Sequence, residues 1–210
     1  MILHGYFRST AAWRVRIALN LKGLSVETVP HNLVTGTQGA PDYLKINPQG
    51  LVPALILDET DGGQVLTQSL AICEYLDEVY PEPKLLPGDA VMRARIRACA
   101  MVIACDTHPV QNLRVLNRLR GLGLEEPQVQ QWGRDTIEQG LSALDQLLAG
   151  FEGPYACGPQ PTMADLFLVP QMANARRFGL EIRWPRLLEI EAACQALPAF
   201  AEAVPDKQPQ

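Results

Sequence analysis

Ser9 and Thr10 stand where chemistry is first possible in this chain, because an apolar run at residues 2–6 leads straight into a helical pattern that begins at Thr10. Hydroxyl side chains at such a junction lie beside the unpaired N–H groups of a first helical turn. Those groups and the helix dipole favour an anion or a thiolate there by about 0.3–1 kcal/mol even when exposed, and each hydroxyl adds a donor of its own. The alternative reading is that one of the two is merely an N-cap.

The elements that must position this pair follow from the hydrophobic pattern. Up to about residue 83, short β-rich runs alternate with helical ones. Residues 2–6 read as a strand and 10–22 as a helix, with Trp13, Ile17 and Leu21 on one face and Gly23 as its stop. Residues 25–30 make a second strand, 35–41 a mobile Gly-containing loop, and a short helix follows from Asp42. Residues 54–58 and 64–67 flank Asp61-Gly62-Gly63 as a hairpin, and Ser69 opens a helix with Ile72, Leu76 and Val79 inward and Glu74, Asp77 and Glu78 outward. Strand, helix, strand, helix, hairpin, helix is the order of a thioredoxin-like α/β domain.

Pro81-Glu82-Pro83 and Pro87-Gly88-Asp89 then punctuate the chain, and no strand signal recurs beyond them. The expected organisation is an α/β domain at 1–83 and an all-α domain at 90–210. Helices are expected over 90–120, broken or kinked at Pro109, and over 128–148, 162–178 and 185–197. Thr162-Met163-Ala164-Asp165 resembles a capping box with Asp in the acidic position, which makes both of its polar residues structural. Residues 204–210 read as a frayed tail.

Composition excludes several classes. With 210 residues, 47% hydrophobic and 20% charged, the chain can bury a sizeable core as a soluble globular protein. A formal net charge of −5 argues against nucleic acid or an anionic membrane as partner. The longest apolar run falls far short of the roughly 20 residues that span a bilayer, and the N-terminus lacks signal-peptide character, so a cytoplasmic location is expected. Cys73, Cys99, Cys105, Cys157 and Cys194 form no C-x-x-C pair and no metal-like cluster with His; they read as reduced and mostly buried, and no metal is expected.

Five segments in order carry a family resemblance: the opening stretch from Tyr6 to Leu19, then Asn47-Pro48-Gln49-Gly50-Leu51-Val52-Pro53, Gln68-Ser69-Leu70-Ala71-Ile72, Asp106-Thr107-His108-Pro109-Val110-Gln111-Asn112-Leu113-Arg114, and Thr162-Met163-Ala164-Asp165-Leu166. Together they resemble the zeta-class glutathione transferases over nearly the whole chain. The resemblance implies the glutathione transferase architecture, a homodimer, and glutathione as cofactor. It implies a cis bond at Val52-Pro53, where the Val52 backbone pairs with the cysteinyl part of glutathione, and a glutamyl site at Gln68 and Ser69. Gln38 is expected to reach glutathione from its loop. His108 is expected at the glycyl group, or else in a helix-bend hydrogen bond, and Asn112 also falls at a glutathione position. Arg114 and Arg177 fall where the family meets an acidic substrate. Arg176 is either a helix-dipole partner or a second ligand.

The family's Ser-Ser-Cys triplet is here Ser9-Thr10-Ala11, so this segment offers no protein thiol, and the thiol of glutathione must do the work. Its pKa, near that of free Cys, must fall for the thiolate to dominate at neutral pH, with Ser9 as the first donor and Thr10 supporting it. The activity implied is isomerisation of a cis enone dicarboxylate by thiolate addition, bond rotation and elimination. That chemistry needs cationic donors and no metal, and Arg8, beside Ser9, is the first choice, while Arg14 and Arg16 read as solvated or structural. Maleylacetoacetate is the leading substrate and maleylpyruvate the alternative. A general glutathione transferase or dehalogenase and a non-enzymatic glutathione-binding protein are the other readings.

Overall fold

The computed structural model describes residues 1–209, which divide into two compact units. Residues 1–84 form the first together with the segment from Ala196 onward, and residues 85–195 form the second. The sequence boundaries of 1–83 and 90–210 therefore differ from the structure at the C-terminus. The reason is a set of long-range bonds: the Asn20 amide donates to the Ala199 carbonyl, and the Arg16 guanidinium donates to the Ala203 carbonyl.

In the first unit, β1 (Ile2–Gly5), β2 (Glu27–Pro30), β3 (Ala54–Ile56) and β4 (Val65–Thr67) make one sheet in the order β2-β1-β3-β4. β1 pairs parallel with β2 (Leu3 opposite Thr28) and antiparallel with β3 (Leu3 opposite Leu55), and β3 pairs antiparallel with β4. The strands are shorter than the apolar runs suggest. Tyr6 leaves the sheet because its carbonyl accepts from Ser9 N–H in the turn that starts the next helix.

α1 (Thr10–Leu21) follows β1. Its sequence suggests one apolar face, yet every residue from Thr10 to Leu19 is buried, because α3 (Ser69–Val79) and α9 (Pro198–Ala201) pack on it as well. Arg14 and Arg16 are accordingly structural and not solvated. Arg16 donates to the carbonyls of Phe7 and Ala203 at 3.0 Å, and burial pulls its pKa down to about 10. α1 stops at Gly23, which takes φ +67°, as its position after the last apolar residue predicts.

The loop expected to be mobile contains a 3-10 turn, Thr37–Gly39, and is pinned by Asn32, whose side chain accepts from Val34 and Thr35 N–H. α2 (Pro41–Ile46) follows. On α3 the buried stripe is Ser69, Ile72, Cys73 and Leu76. Val79 is exposed where the sequence pattern turned it inward, because that stripe continues to half-buried Tyr80. Asp77, expected outward, instead pairs at 2.8 Å with Lys22 at the end of α1. In the expected frayed tail, of which residue 210 lies outside the described residues, a 3-10 turn, Pro205–Lys207, is closed by Gln208 donating to the Glu202 and Val204 carbonyls.

The second unit contains only helices apart from an isolated bridge at Tyr155 and Gly158, among the described residues. α4 (Ala90–Met101) is capped by Asp89 and runs into a π-helical turn, Val102–Thr107, in which the Thr107 hydroxyl donates to the Val102 carbonyl at 2.7 Å. Pro109 has no N–H to continue the ladder, so the expected kink is a full interruption at residues 108–112 before α5 (Leu113–Gly121). α6 (Glu126–Leu148) passes close to the π turn at Gly140, where a Cβ would overlap Thr107 Oγ1. α7 (Met163–Arg177) is buried nearly all round, as a helix apolar on all sides must be, and α8 (Pro185–Gln195) packs on it. Thr162 and Asp165 form the expected capping box, and Asp165 also accepts from Ala156 N–H, so both are structural. Among the described residues no helix is long and apolar enough to cross a membrane, and no group of His, Cys, Asp and Glu could hold a metal ion.

Candidate functional site

Two helix N-termini in the first unit form the candidate site. At α1, Ser9 is the N-cap: its Oγ accepts from Ala12 N–H at 3.2 Å. A hydroxyl that accepts in this way keeps its own proton to donate, so the capping and functional readings of Ser9 are compatible. Ser9 is half-buried and Arg8 beside it is exposed, whereas Thr10 is only 3% exposed. The sequence left Ser9 and Thr10 as alternatives; their burial leaves Ser9 the more accessible. Ala11 is buried in the first turn.

At α3, Gln68 is the N-cap residue, with φ +68° and ψ 114°, and its side chain makes no capping bond. A non-glycine residue held in this region costs about 1–3 kcal/mol and persists only where its surroundings over-determine it. The first intrahelical bond is Ile72 N–H to the Gln68 carbonyl, so the N–H groups of Ser69, Leu70 and Ala71 precede the ladder. Neither α1 nor α3 has an acidic residue in its first turn. Ser69 is not the N-cap: it is buried at the first helical position, and its Oγ accepts from Arg14 Nη1 at 3.2 Å. Arg14, 1% exposed, thus places a cation beneath the α3 terminus. The Gln68 amide donates to Gln49 Oε1 at 2.8 Å, joining this helix end to the loop before β3.

That loop ends in the cis peptide Val52-Pro53, the geometry the family resemblance implied. Asn47 and Tyr43 hold it: the Asn47 amide donates to the Leu51 carbonyl at 2.7 Å and the Tyr43 hydroxyl to the same oxygen at 2.6 Å. Val52 precedes the first registered residue of β3, Ala54, and so stands outside the ladder. Gln38, half-buried in the 3-10 turn, has a buried Oε1 with no hydrogen-bond partner among the described residues. Tyr43 also meets His31 in a tilted ring contact, with centroids 4.1 Å apart, and His31 Nε2 lies 2.9 Å from His4 Nδ1. Burial lowers the pKa of both histidines, and His31 lowers that of His4 further.

In the second unit, His108, Asn112 and Arg114 fall together in and after the break that follows the π turn. His108 is half-buried and Arg114 exposed. Asn112 caps α5, accepting from Val115 N–H at 3.1 Å, which occupies its carbonyl and leaves its amide to donate. Arg177, exposed at the end of α7, donates to Asn174 Oδ1 at 2.5 Å. Arg176 stands in the last turn of α7, the position of a helix-dipole partner, and forms a bidentate pair with Glu191 on α8 at 2.7 and 2.5 Å. Sequence reasoning missed Arg14, Asn47, Tyr43, Gln111 and Asn174. Of these, Arg14, Asn47 and Gln111 lay inside the recognised segments without being given a site role, and only Asn174 had a local signal, its i, i+3 spacing from Arg177.

Residues 3–84 match the model of the glutathione S-transferase N-terminal domain and residues 111–200 that of the C-terminal domain. The maleylacetoacetate isomerase of Pseudomonas aeruginosa is 48% identical over 100% of this chain and 98% of its own length. A holo structure of maleyl pyruvate isomerase, a bacterial zeta-class glutathione S-transferase, superposes with a TM-score of 0.95 at 42% identity, covering 100% of this chain and 99% of that one. A maleylacetoacetate isomerase from Methylobacterium extorquens AM1, solved with bound malonate and glutathione, gives 0.94 at 41% identity, covering 100% and 98%. This chain belongs to the glutathione S-transferase family, and within it to the zeta class.

Proposed function

We propose that this chain is a glutathione-dependent cis-trans isomerase that converts maleylacetoacetate to fumarylacetoacetate. The observation that carries the reading is the pair of acid-free helix N-termini, one ending at a half-buried hydroxyl and one at a strained Gln68, in a chain similar over its full length to maleylacetoacetate isomerases. The residues fit glutathione. The first turn of α3, with Arg14 beneath it, suits the glutamyl carboxylate, with Gln68 and Ser69 at that end. The unpartnered Gln38 Oε1 suits an N–H donor of the peptide, and Val52 and Pro53 present backbone outside the β3 ladder.

Bound glutathione supplies the thiol that adds to the double bond, lets it rotate, and leaves unchanged. The chain's own residues do the rest. Ser9 donates a hydrogen bond from its hydroxyl to the sulfur and so stabilises the thiolate, with the α1 N-terminus behind it and Thr10 in support. Arg8, Arg114 and Arg177 take the substrate carboxylates and the charge that develops on the carbonyl oxygen. His108 and the Asn112 amide serve glutathione.

The homodimer expected from the family is part of this proposal; exposed Val65 and Val79 on the first unit and Val91 and Met101 on the second supply apolar surface for it, which sedimentation tests. A cytoplasmic location, with all five cysteines free, completes it. Maleylpyruvate is the second substrate reading, favoured by the 0.95 superposition on a maleyl pyruvate isomerase. The deciding experiment follows loss of enone absorbance for each substrate with and without catalytic glutathione. Turnover of maleylacetoacetate that requires glutathione supports the proposal. Preference for maleylpyruvate moves the assignment to the second reading, accumulation of a glutathione conjugate to a transferase or dehalogenase, and binding without turnover to a glutathione-binding protein.

A further inference from the structure

We propose that Asn174 is the positioning residue for Arg177, tying its guanidinium to the segment between the π turn and α5 and so setting where that cation meets a substrate carboxylate. The inference rests on the reading of Arg177 as a carboxylate contact. Its basis is a relay of three side chains inside the second unit. Arg177 Nη2 donates to Asn174 Oδ1 at 2.5 Å, and Asn174 Nδ2 donates to Gln111 Oε1 at 3.0 Å. Arg177 is exposed, whereas Asn174 and Gln111 are 7% and 3% exposed. A surface cation on a long side chain is thereby fixed at its head by groups that are themselves packed.

A guanidinium is a rigid planar fork, so holding one of its nitrogens orients the whole plane. The fold, and not the arriving carboxylate, then bears the ordering of the side chain, which is the usual gain from preorganisation. Asn174 lies one turn before Arg177 on α7, so their contact is local. Gln111 is 63 residues away in the break that also holds His108 and Asn112, so the relay makes the Arg177 geometry depend on that break. Gln111 keeps its carbonyl on Asn174 even though its own Nε2 is buried with no partner among the described residues. An unpaired buried donor is costly, and the opposite amide orientation would set two donors face to face.

The test is a double-mutant cycle of Asn174→Ala and Arg177→Ala in the full-length protein, read by isomerase kinetics at saturating glutathione and by calorimetric binding of malonate. Asn174→Ala is expected to raise KM and the malonate Kd about tenfold, the size of one hydrogen bond to a charged group, with glutathione affinity within about twofold of wild type. On the Arg177→Ala background the same change is expected to do nothing further. A packing role alone would give equal losses on both backgrounds, and that result overturns the proposal, as does a wild-type Asn174→Ala. Should Asn174→Ala fail to fold, Gln111→Leu enters the same cycle, with a smaller rise in KM that also vanishes without Arg177; a rise that persists there overturns the proposal. Unchanged KM and malonate affinity in Arg177→Ala overturns the carboxylate reading of Arg177 and this inference with it. A loss in Arg177→Ala with none in Asn174→Ala overturns the inference alone.

Discussion

Replacing Ser9 with alanine removes two things at once, and the structure allows them to be separated. The first is the N-cap of α1, where Ser9 Oγ accepts from Ala12 N–H at 3.2 Å. Losing a Ser cap to Ala costs about 1 kcal/mol, within a range of about 0.5–2, whereas Gly costs only a few tenths. For a chain of this size about 1 kcal/mol lowers Tm by about 2–4 °C. The second is the donor proposed for the thiolate. A hydrogen bond to a charged group contributes about 1.5–3 kcal/mol, which at about 1.4 kcal/mol per unit raises the thiol pKa by about 1–2 units. Ser9→Ala is therefore expected to lose about 10- to 100-fold in kcat/KM at neutral pH, with activity recovering as pH rises toward the new pKa, and to melt a few degrees lower. Ser9→Gly is expected to show the same kinetic loss with almost no change in Tm. The assay pairs pH profiles of isomerisation with ultraviolet titration of the bound thiolate and thermal melts of the three proteins. Full activity in Ser9→Gly, or a thiolate pKa that does not move in either variant, refutes the role assigned to the hydroxyl and leaves Ser9 as a cap.

Three further outcomes are expected. Gln68→Gly relieves the φ of +68° and gains about 1 kcal/mol in urea unfolding while weakening glutathione binding by losing its side chain; unchanged affinity would show that Gln68 is structural. Gly140→Ala gains about 1 kcal/mol of helix propensity but drives a methyl into Thr107, an overpacking cost of about 1–3 kcal/mol, so calorimetry should show net loss of stability and, through the π turn, weaker function of His108. The His4 and His31 pKa values lie below the usual 6.5, so just under that pH the unfolded chain binds more protons than the folded one. Stability should be level above about pH 6.5 and fall as pH drops, and His4→Gln with His31→Gln should flatten the profile; an unaltered slope in that double variant would sink the assignment.

Features that depend on a few neighbouring residues were legible in the sequence. The N-terminus of α1 at Ser9, the stop at Gly23, the hairpin around Asp61-Gly62-Gly63, the Thr162 capping box and the break near Pro109 each follow from contacts within a few positions, where backbone rules act without help from the rest of the chain. The family motifs further implied the cis bond at Val52-Pro53, which the structure has, because a motif carries tertiary information that composition and periodicity lack. What the sequence by itself could not determine is how partners far apart in the chain meet. Arg14 reaches Ser69 across 55 residues, Asn174 reaches Gln111 across 63, and Arg16 reaches the Ala203 carbonyl across 187. These bonds decided the structural over the solvated reading of Arg14 and Arg16, took the C-terminal segment into the first unit, and made Ser69 an acceptor for a buried cation. Periodicity reports which face of a helix is apolar; only packing decides how many faces are covered and which buried polar groups must find one another there.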